Sequence, residues 1–339
     1  MKDKVNVSVI GTGRMGSVHT RNLVRRIPQA NVVAVCDIRL DVAQAVADEL
    51  EISRVIRDYH ELLADDQVEA VVIASSTNTH AFMMQDAAQA GKHIFCEKPL
   101  ALDLADIDAA LAAVQRANVK LQVGFQRRFD SNFQRVHELV ASNEIGTPCV
   151  LRITSRDPGP PPIEYVKVSG GLFLDMMIHD FDMARFQLGD IEEVYAAGDV
   201  LVAPEIGQVG DVDTAVVTLR FKSGALGVID NCRKATYGYD QRLEVLGSAG
   251  AAMVGNAMAD TVVRAGSEGF HSSALPNFFM QRYAEAYVAE MQEFVRCVAS
   301  DKMPLVTGRD GRLAVVLGYA AIKSRQENRP VRLSEITAV

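Results

Sequence analysis

Val5-Asn6-Val7-Ser8-Val9-Ile10 runs into Gly11-Thr12-Gly13-Arg14-Met15-Gly16 and then into Ser17–Arg26. The first stretch alternates with a β-branched bias and reads as a buried strand; the last reads as a helix. Between them lies the pattern G-x-G-x-x-G. Its first glycine permits a tight turn, its second lets backbone approach a pyrophosphate, and its third lets helix and strand pack closely. The helix start offers unpaired N–H groups and a positive dipole end to phosphate. Gly11, Gly13, Arg14 and Met15 are therefore candidate cofactor contacts.

The glycine pattern alone is weak, and its surroundings strengthen it. A second strand, Asn31-Val32-Val33-Ala34-Val35-Cys36, ends in Asp37. That acid stands about twenty residues past the loop, where it can accept hydrogen bonds from an adenosine ribose. A carboxylate there repels a 2′-phosphate, so NAD is favoured over NADP. Arg39 softens that preference, and a strand-end cap is the bland reading of Asp37.

The alternation continues. Asp41–Leu50 and Tyr59–Ala64 read as helices, Val68–Ala74 as a strand, His80–Ala90 as a helix closed by Gly91, and Lys92–Cys96 as a strand. Repeated strand–helix units imply a doubly wound parallel sheet whose ligand crevice lies beyond the strands' carboxyl ends. Ser75, Thr77 and His80 follow one strand end; Glu97-Lys98-Pro99 follows the next. Both segments should line the crevice, although Ser75 and Thr77 serve equally well as helix caps.

In the second half, Cys149–Ser155, Val194–Leu201, Asp213–Phe221, Ala225–Cys232, Gln241–Gly247 and Ala251–Val254 read as strands. Phe221-Lys222-Ser223-Gly224-Ala225 reads as a hairpin turn. Phe279–Ser300 and Leu313–Gln326 read as helices, with a closing extended segment Pro330–Leu333. The proline-dense stretch Pro158–Pro162 reads as a stiff loop. The expected division is residues 1–123 for dinucleotide binding and residues 124–339 for substrate binding and self-association.

Composition narrows the function. Thirty-five basic against 43 acidic residues give a net charge of −8 over 339 residues, which argues against a general nucleic-acid or acidic-membrane binder. The five cysteines are scattered, odd in number and lack C-x-x-C, as expected of reduced thiols in a cytoplasmic protein. Met1-Lys2-Asp3-Lys4 leads directly into strand-like sequence, so neither an export signal nor a membrane span is expected. His19, His60, His93, His137 and His271 show no metal-type spacing, so metal is not required.

The chemistry sits in Gly170-Gly171-Leu172-Phe173-Leu174-Asp175-Met176-Met177-Ile178-His179-Asp180. Asp175 and His179 are i and i+4 and would share a helix face. Oxidising a secondary alcohol needs a hydride acceptor and a base with a pKa near operating pH. Histidine suits the second role, aspartate can orient it, and Lys98 can hydrogen-bond the reacting oxygen. For an isolated pair the bland reading is a helix-surface contact. Here apolar neighbours surround the pair, where unpaired polar groups are costly.

With these residues in place, the chain resembles the Gfo/Idh/MocA oxidoreductases, and within them the inositol 2-dehydrogenase branch. The resemblance covers essentially the whole chain. It rests on Gly11–Gly16, Glu97-Lys98-Pro99-Leu100, Gly124–Asp130 and Gly170–Asp182, and for the branch on Ser155-Arg156-Asp157-Pro158, Tyr165 and Tyr237-Gly238-Tyr239-Asp240. It implies an N-terminal Rossmann domain and a C-terminal α/β domain with a large, mostly antiparallel sheet that often builds a tetramer. It also implies that Lys98, Asp175 and His179 carry catalysis. Arg127, Asp157, Tyr165 and Tyr239 are candidate polyol contacts. Pairing of Arg127 or Arg128 with Glu97 or another carboxylate is the alternative for the arginines, and a core or interface place on one shared strand face the alternative for Tyr237 and Tyr239. Asp182 reads as a cap or a partner of Arg185. Some inositol dehydrogenases carry histidine and asparagine in place of Ser155 and Asp157. Myo-inositol, scyllo-inositol and an aldopyranose therefore all stay open. A non-catalytic dinucleotide sensor is the reading from another class, and the intact Lys98, Asp175 and His179 set speaks against it.

Overall fold

The computed structural model describes residues 4–337; Met1, Lys2 and Asp3, part of the stretch read for an export signal, lie outside them. The chain forms two compact units, Met1–Phe129 with Glu285–Leu313 and Asp130–Ala284 with Ala314–Val339.

The first unit opens with β1 (Val5–Ile10), α1 (Arg14–Arg26), β2 (Ala30–Cys36), α2 (Leu40–Leu50), β3 (Val55–Ile56) and α3 (Tyr59–Leu63). It continues with β4 (Ala70–Ile73), α4 (Thr77–Gln89), β5 (His93–Glu97), α5 (Leu104–Ala117) and β6 (Leu121–Gly124). All six strands are parallel, in the order β3-β2-β1-β4-β5-β6. Strand order reverses at β1/β4, which is where a doubly wound sheet opens its ligand crevice. The expected dinucleotide fold is present. Sequence chemistry sets the helix starts: the carboxylates of Asp58 and Asp103 accept the first free N–H groups of α3 and α5. Val5, Val7 and Val9 point alternately into one core with Leu23, Phe95 and Val46.

The second unit contains α6 (Ser131–Ala141), β7 (Pro148–Arg156), α7 (Ile163–Ser169), a π-helical turn Leu172–Met176, α8 (Ile178–Leu188), β8 (Ile191–Asp199) and α9 (Pro204–Gly207). Then follow β9 (Thr214–Phe221), β10 (Leu226–Cys232), β11 (Asp240–Gly247), β12 (Ala251–Val254), the hairpin β13 (Val263–Gly266) and β14 (Gly269–Ser272), and α10 (Phe279–Arg282). After α11 (Ala284–Ser300) come α12 (Gly308–Glu327), β15 (Val331–Arg332) and α13 (Ser334–Thr337). Seven strands form one sheet in the order β12-β11-β7-β10-β9-β8-β15. Only β7 and β10 run parallel in it, so the sheet is mostly antiparallel as expected. The β9–β10 turn closes where Gly224 takes φ +91°.

Several elements differ from the sequence reading. The helix expected over Phe279–Ser300 breaks at Tyr283, whose backbone leaves helical geometry (φ −112°, ψ 19°) while its ring is buried. The helix expected from Leu313 starts at Gly308. Asp310 reaches back over its start: the Asp310 carboxylate accepts the Thr307 N–H at 2.9 Å and the Thr307 hydroxyl at 2.8 Å. The exposed β13–β14 hairpin is too polar and glycine-rich to announce itself by periodicity. Among α11 residues, Met291, Phe294 and Val295 join the core of the first unit.

Candidate active site

In the first unit the predicted cofactor residues gather beyond the carboxyl ends of β1, β2, β4 and β5. Gly11 takes φ +88°, and a Cβ there would stand 2.6 Å from the Ser75 backbone nitrogen. At Gly16 a Cβ would stand 1.8 Å from the Gly11 carbonyl oxygen. These two positions admit no side chain, whereas a Cβ on Gly13 would meet nothing within 4 Å. Gly13 is also the N-cap of α1 and brings no side-chain acceptor to its free N–H groups. The loop is thus tight where it packs and open where an anion would approach.

The Asp37 carboxylate reaches back to this loop. It accepts the Thr12 N–H at 2.8 Å and the Thr12 hydroxyl at 3.1 Å through Oδ2, and the Arg39 N–H at 3.0 Å through Oδ1. Arg14 is exposed, Met15 half-buried. The Ser75 hydroxyl meets that of Thr79 at 2.6 Å, and Thr77 is the first residue of α4. His80 is buried. Its ring lies 2.8 Å from the Pro99 carbonyl and 3.2 Å from the Ser75 carbonyl, so it ties the β4 and β5 loops together. Burial pushes its pKa below the ordinary imidazole value, so the neutral ring donates to one of these carbonyls.

Half-buried Lys98 follows β5, and its backbone N–H donates to Glu97 Oε2 at 3.2 Å. Arg127 lies buried in the 3₁₀ turn Gln126–Phe129 after β6. Arg128 takes the alternative, pairing with another carboxylate: its guanidinium meets Asp310 at 3.0 Å. That carboxylate stands on the capped start of α12, which the sequence reading did not locate.

In the second unit Asp175 does not lie on a regular helix, as the i, i+4 reading assumed. It occupies the π-helical turn, closed by the Met177 N–H donating to the Leu172 carbonyl at 2.9 Å, and α8 with His179 begins after it. Gly170 and Gly171 lead in at φ +86° and +77°. A Cβ on Gly171 would stand 2.6 Å from Asp211 Oδ1, and that carboxylate accepts the Leu172 N–H at 3.0 and 3.1 Å. π-Turns of this kind are frequent at functional sites.

Asp175 accepts the Tyr165 hydroxyl at 2.8 Å through Oδ1, while Oδ2 lies 3.4 Å from both terminal nitrogens of Arg233. Arg233 is only 1% exposed and stands 4.0 Å from Asp211. A cation this buried requires facing carboxylates. Sequence reasoning missed it; the one signal was its place directly after the strand read over Ala225–Cys232. His179 is half-buried one turn beyond Asp175.

Asp157 is half-buried, with its backbone N–H on the Cys232 carbonyl at 2.9 Å. Ser155 is buried and donates to Asp180 at 2.6 Å, while Asn231 donates to the other Asp180 oxygen at 2.9 Å. Tyr237 and Tyr239 precede β11 instead of sharing a strand face, because Gly238 between them takes φ +119°. Tyr239 packs edge-on against Tyr283, while Tyr237 is exposed and donates to Asp240 at 2.7 Å. Arg185 meets Asp190 at 3.1 Å. Among the described residues no three His, Cys, Asp or Glu side chains cluster as a metal would need, and no helix is long and apolar enough to cross a membrane.

Residues 5–125 match the family model described as the oxidoreductase family with an NAD-binding Rossmann fold, and residues 133–253 match the GFO/IDH/MocA C-terminal domain. The chain is 51% identical to myo-inositol 2-dehydrogenase of Thermotoga maritima, over 98% of its own length and 99% of that protein. It is 40% identical to the NAD(+) scyllo-inositol 2-dehydrogenase of Bacillus subtilis, over 98% and 97%. It superposes with a TM-score of 0.88 on a crystal structure of myo-inositol dehydrogenase from Lactobacillus casei in complex with NAD(H) and myo-inositol, at 28% identity and covering 97% of this chain and 96% of that one.

Proposed function

The chain belongs to the Gfo/Idh/MocA oxidoreductase family, and on that premise we propose that it is an NAD-dependent dehydrogenase of an inositol. Myo-inositol, giving the 2-keto product, is the first substrate. Scyllo-inositol is the second reading, favoured by the similarity to a dehydrogenase of that isomer. The observation that carries the proposal is full-length similarity to inositol dehydrogenases, one of them solved with NAD(H) and myo-inositol.

The residues fit the cofactor: the loop excludes side chains at Gly11 and Gly16 and leaves open space at Gly13. Bound there, NAD supplies an acceptor for the carbinol hydride. Gly11, Gly13, Arg14 and Met15 hold its pyrophosphate with the free N–H groups of α1, and Asp37 holds the adenosine ribose. Ser75, Thr77, His80 and Glu97 complete and brace that cradle. His179 takes the hydroxyl proton. Asp175 orients the imidazole and stabilises its charged form. Lys98 hydrogen-bonds the reacting oxygen as negative charge develops on it. Arg127, Asp157, Tyr165 and Tyr239 serve the remaining ring hydroxyls, Tyr165 also tethering Asp175.

The test is NADH absorbance against a panel of polyols and pyranoses. Turnover of an inositol is the expected result. Activity on no member would overturn the enzyme reading, and faster turnover of scyllo-inositol or glucose than of myo-inositol would overturn the first substrate.

We also place the protein in the cytoplasm, which its five unbridged cysteines suit, and assemble it as a homotetramer through the large sheet. On one face of that sheet Val216, Leu226, Leu246 and Met253 are exposed, flanked by paired charges such as Arg152–Glu244 at 3.6 Å. Light scattering on the purified protein should give four subunits; a monomer would refute the assembly.

A further inference from the structure

His19 lies on α1, three residues past Gly16, and is fully buried. Its Nε2 meets Glu97 Oε1 at 2.6 Å. The other oxygen of that carboxylate accepts the Lys98 backbone N–H at 3.2 Å. One buried carboxylate therefore joins the helix whose start faces the dinucleotide to the first peptide of the turn that carries Lys98.

The surroundings fix this arrangement. The His19 ring stands edge-on to Phe95 and Tyr287, with centroids 5.2 and 5.9 Å away, so the imidazole has no alternative rotamer space. Gly124, on the neighbouring strand β6, makes room for the carboxylate, since a Cβ there would stand 2.9 Å from Glu97 Oε2. Beside His19, in the same N-terminal half of α1, the Thr20 hydroxyl donates to the Gly16 carbonyl at 2.6 Å and the Ser17 hydroxyl to the Thr12 carbonyl at 2.7 Å. The helix is thereby fastened both to the glycine loop and to Glu97.

We propose that the His19–Glu97 pair is a positioning couple that ties the dinucleotide-binding helix to the Lys98 turn. Neither residue touches the substrate. Without the imidazole, the carboxylate keeps only a long bond to the Lys98 N–H and is free to rotate. The turn then holds the ammonium group of Lys98 less firmly. The inference rests on the reading of Lys98 as the group that hydrogen-bonds the reacting oxygen, and the experiment separates the two.

The experiment is a double-mutant cycle of His19→Asn and Lys98→Met, read as kcat at saturating NAD and myo-inositol and normalised to NAD-binding sites. Misplacing a catalytic group by ~1 Å costs up to about 100-fold, so His19→Asn should lower kcat ~10-fold. The NAD Kd and the polyol KM should stay within about three-fold, because coupling is directed at the chemical step. In the Lys98→Met background the same change should cost less than about two-fold, since residues acting as a unit are not additive. His19→Gln, whose amide can still donate to Glu97, should recover part of the loss. If His19→Asn does not fold, His19→Met, which keeps the apolar packing and offers no donor to Glu97, takes its place in the cycle. An equal loss in both backgrounds overturns the coupling while leaving the Lys98 reading intact. Normal turnover by Lys98→Met alone overturns both.

Discussion

Glu290 offers a perturbation whose sign can be worked out in advance. Its side chain is 0% exposed on α11, and neither carboxyl oxygen has a hydrogen-bond partner among the described residues. The Gln122 amide donates to its backbone carbonyl, not to its side chain. Burial, and then the charge of Glu97, push its pKa well above the ordinary carboxyl value. The folded protein thus holds a proton that the unfolded chain releases once pH exceeds about 4.3. A raised folded pKa means stability that is full below that point and declines as pH rises toward the folded value. Within that window the slope is at most about 1.4 kcal/mol per pH unit.

Glu290→Gln keeps the shape of the neutral acid and does not titrate. Any fixed packing offset between the two side chains is the same at every pH, so only the slope is diagnostic. Scanning calorimetry of both proteins from pH 5 to 8 should show the melting temperature of the variant rising relative to the parent as pH increases. For a unit of this size each kcal/mol corresponds to roughly 2–4 °C. A difference that stays flat with pH, or that turns against the variant at the alkaline end, refutes a buried neutral acid at this position.

Two further outcomes test the site. His179→Ala should lose about 100- to 10,000-fold in kcat, the usual range for removing a general base, with the NAD Kd unchanged by equilibrium titration. Near-normal turnover would remove His179 from the base role. Asp37→Ala should lower the ratio of NAD to NADP kcat/KM by ~10-fold or more, since ribose bonds are lost and repulsion of a 2′-phosphate disappears; an unchanged ratio would remove Asp37 from the ribose.

The parts legible in the sequence were those where residue type alone dictates backbone geometry. Gly11 and Gly16 were readable because no other residue fits their contacts. Asp37 was readable by position, but its bonds to Thr12 were not, because they join segments 25 residues apart. The Asp175 to His179 spacing suggested a shared helix face. Nothing in Leu172-Phe173-Leu174-Asp175 marks the wider π turn, which Asp211 stabilises from a distant loop. Arg233 was missed for the same reason, its partners being 22 to 58 residues away. Glu290 could have been found. It falls between Tyr287 and Phe294 on the apolar stripe of a helix, at spacings of three and four, where a charged side chain has no outlet to solvent. That Glu285–Leu313 packs with the first unit is invisible in linear order, because a hydrophobic stripe does not name the surface that it covers.

The bonds from Thr12 to Asp37 bear on redesign. The carboxylate assigned to the adenosine sugar also anchors the glycine loop, through both the backbone and the hydroxyl of Thr12. Exchanging it for a small or basic residue to accept a phosphorylated dinucleotide would leave that loop amide without its acceptor. Cofactor choice and loop rigidity are therefore a single engineering variable here, and a successful swap must introduce a new acceptor for Thr12 in the same step.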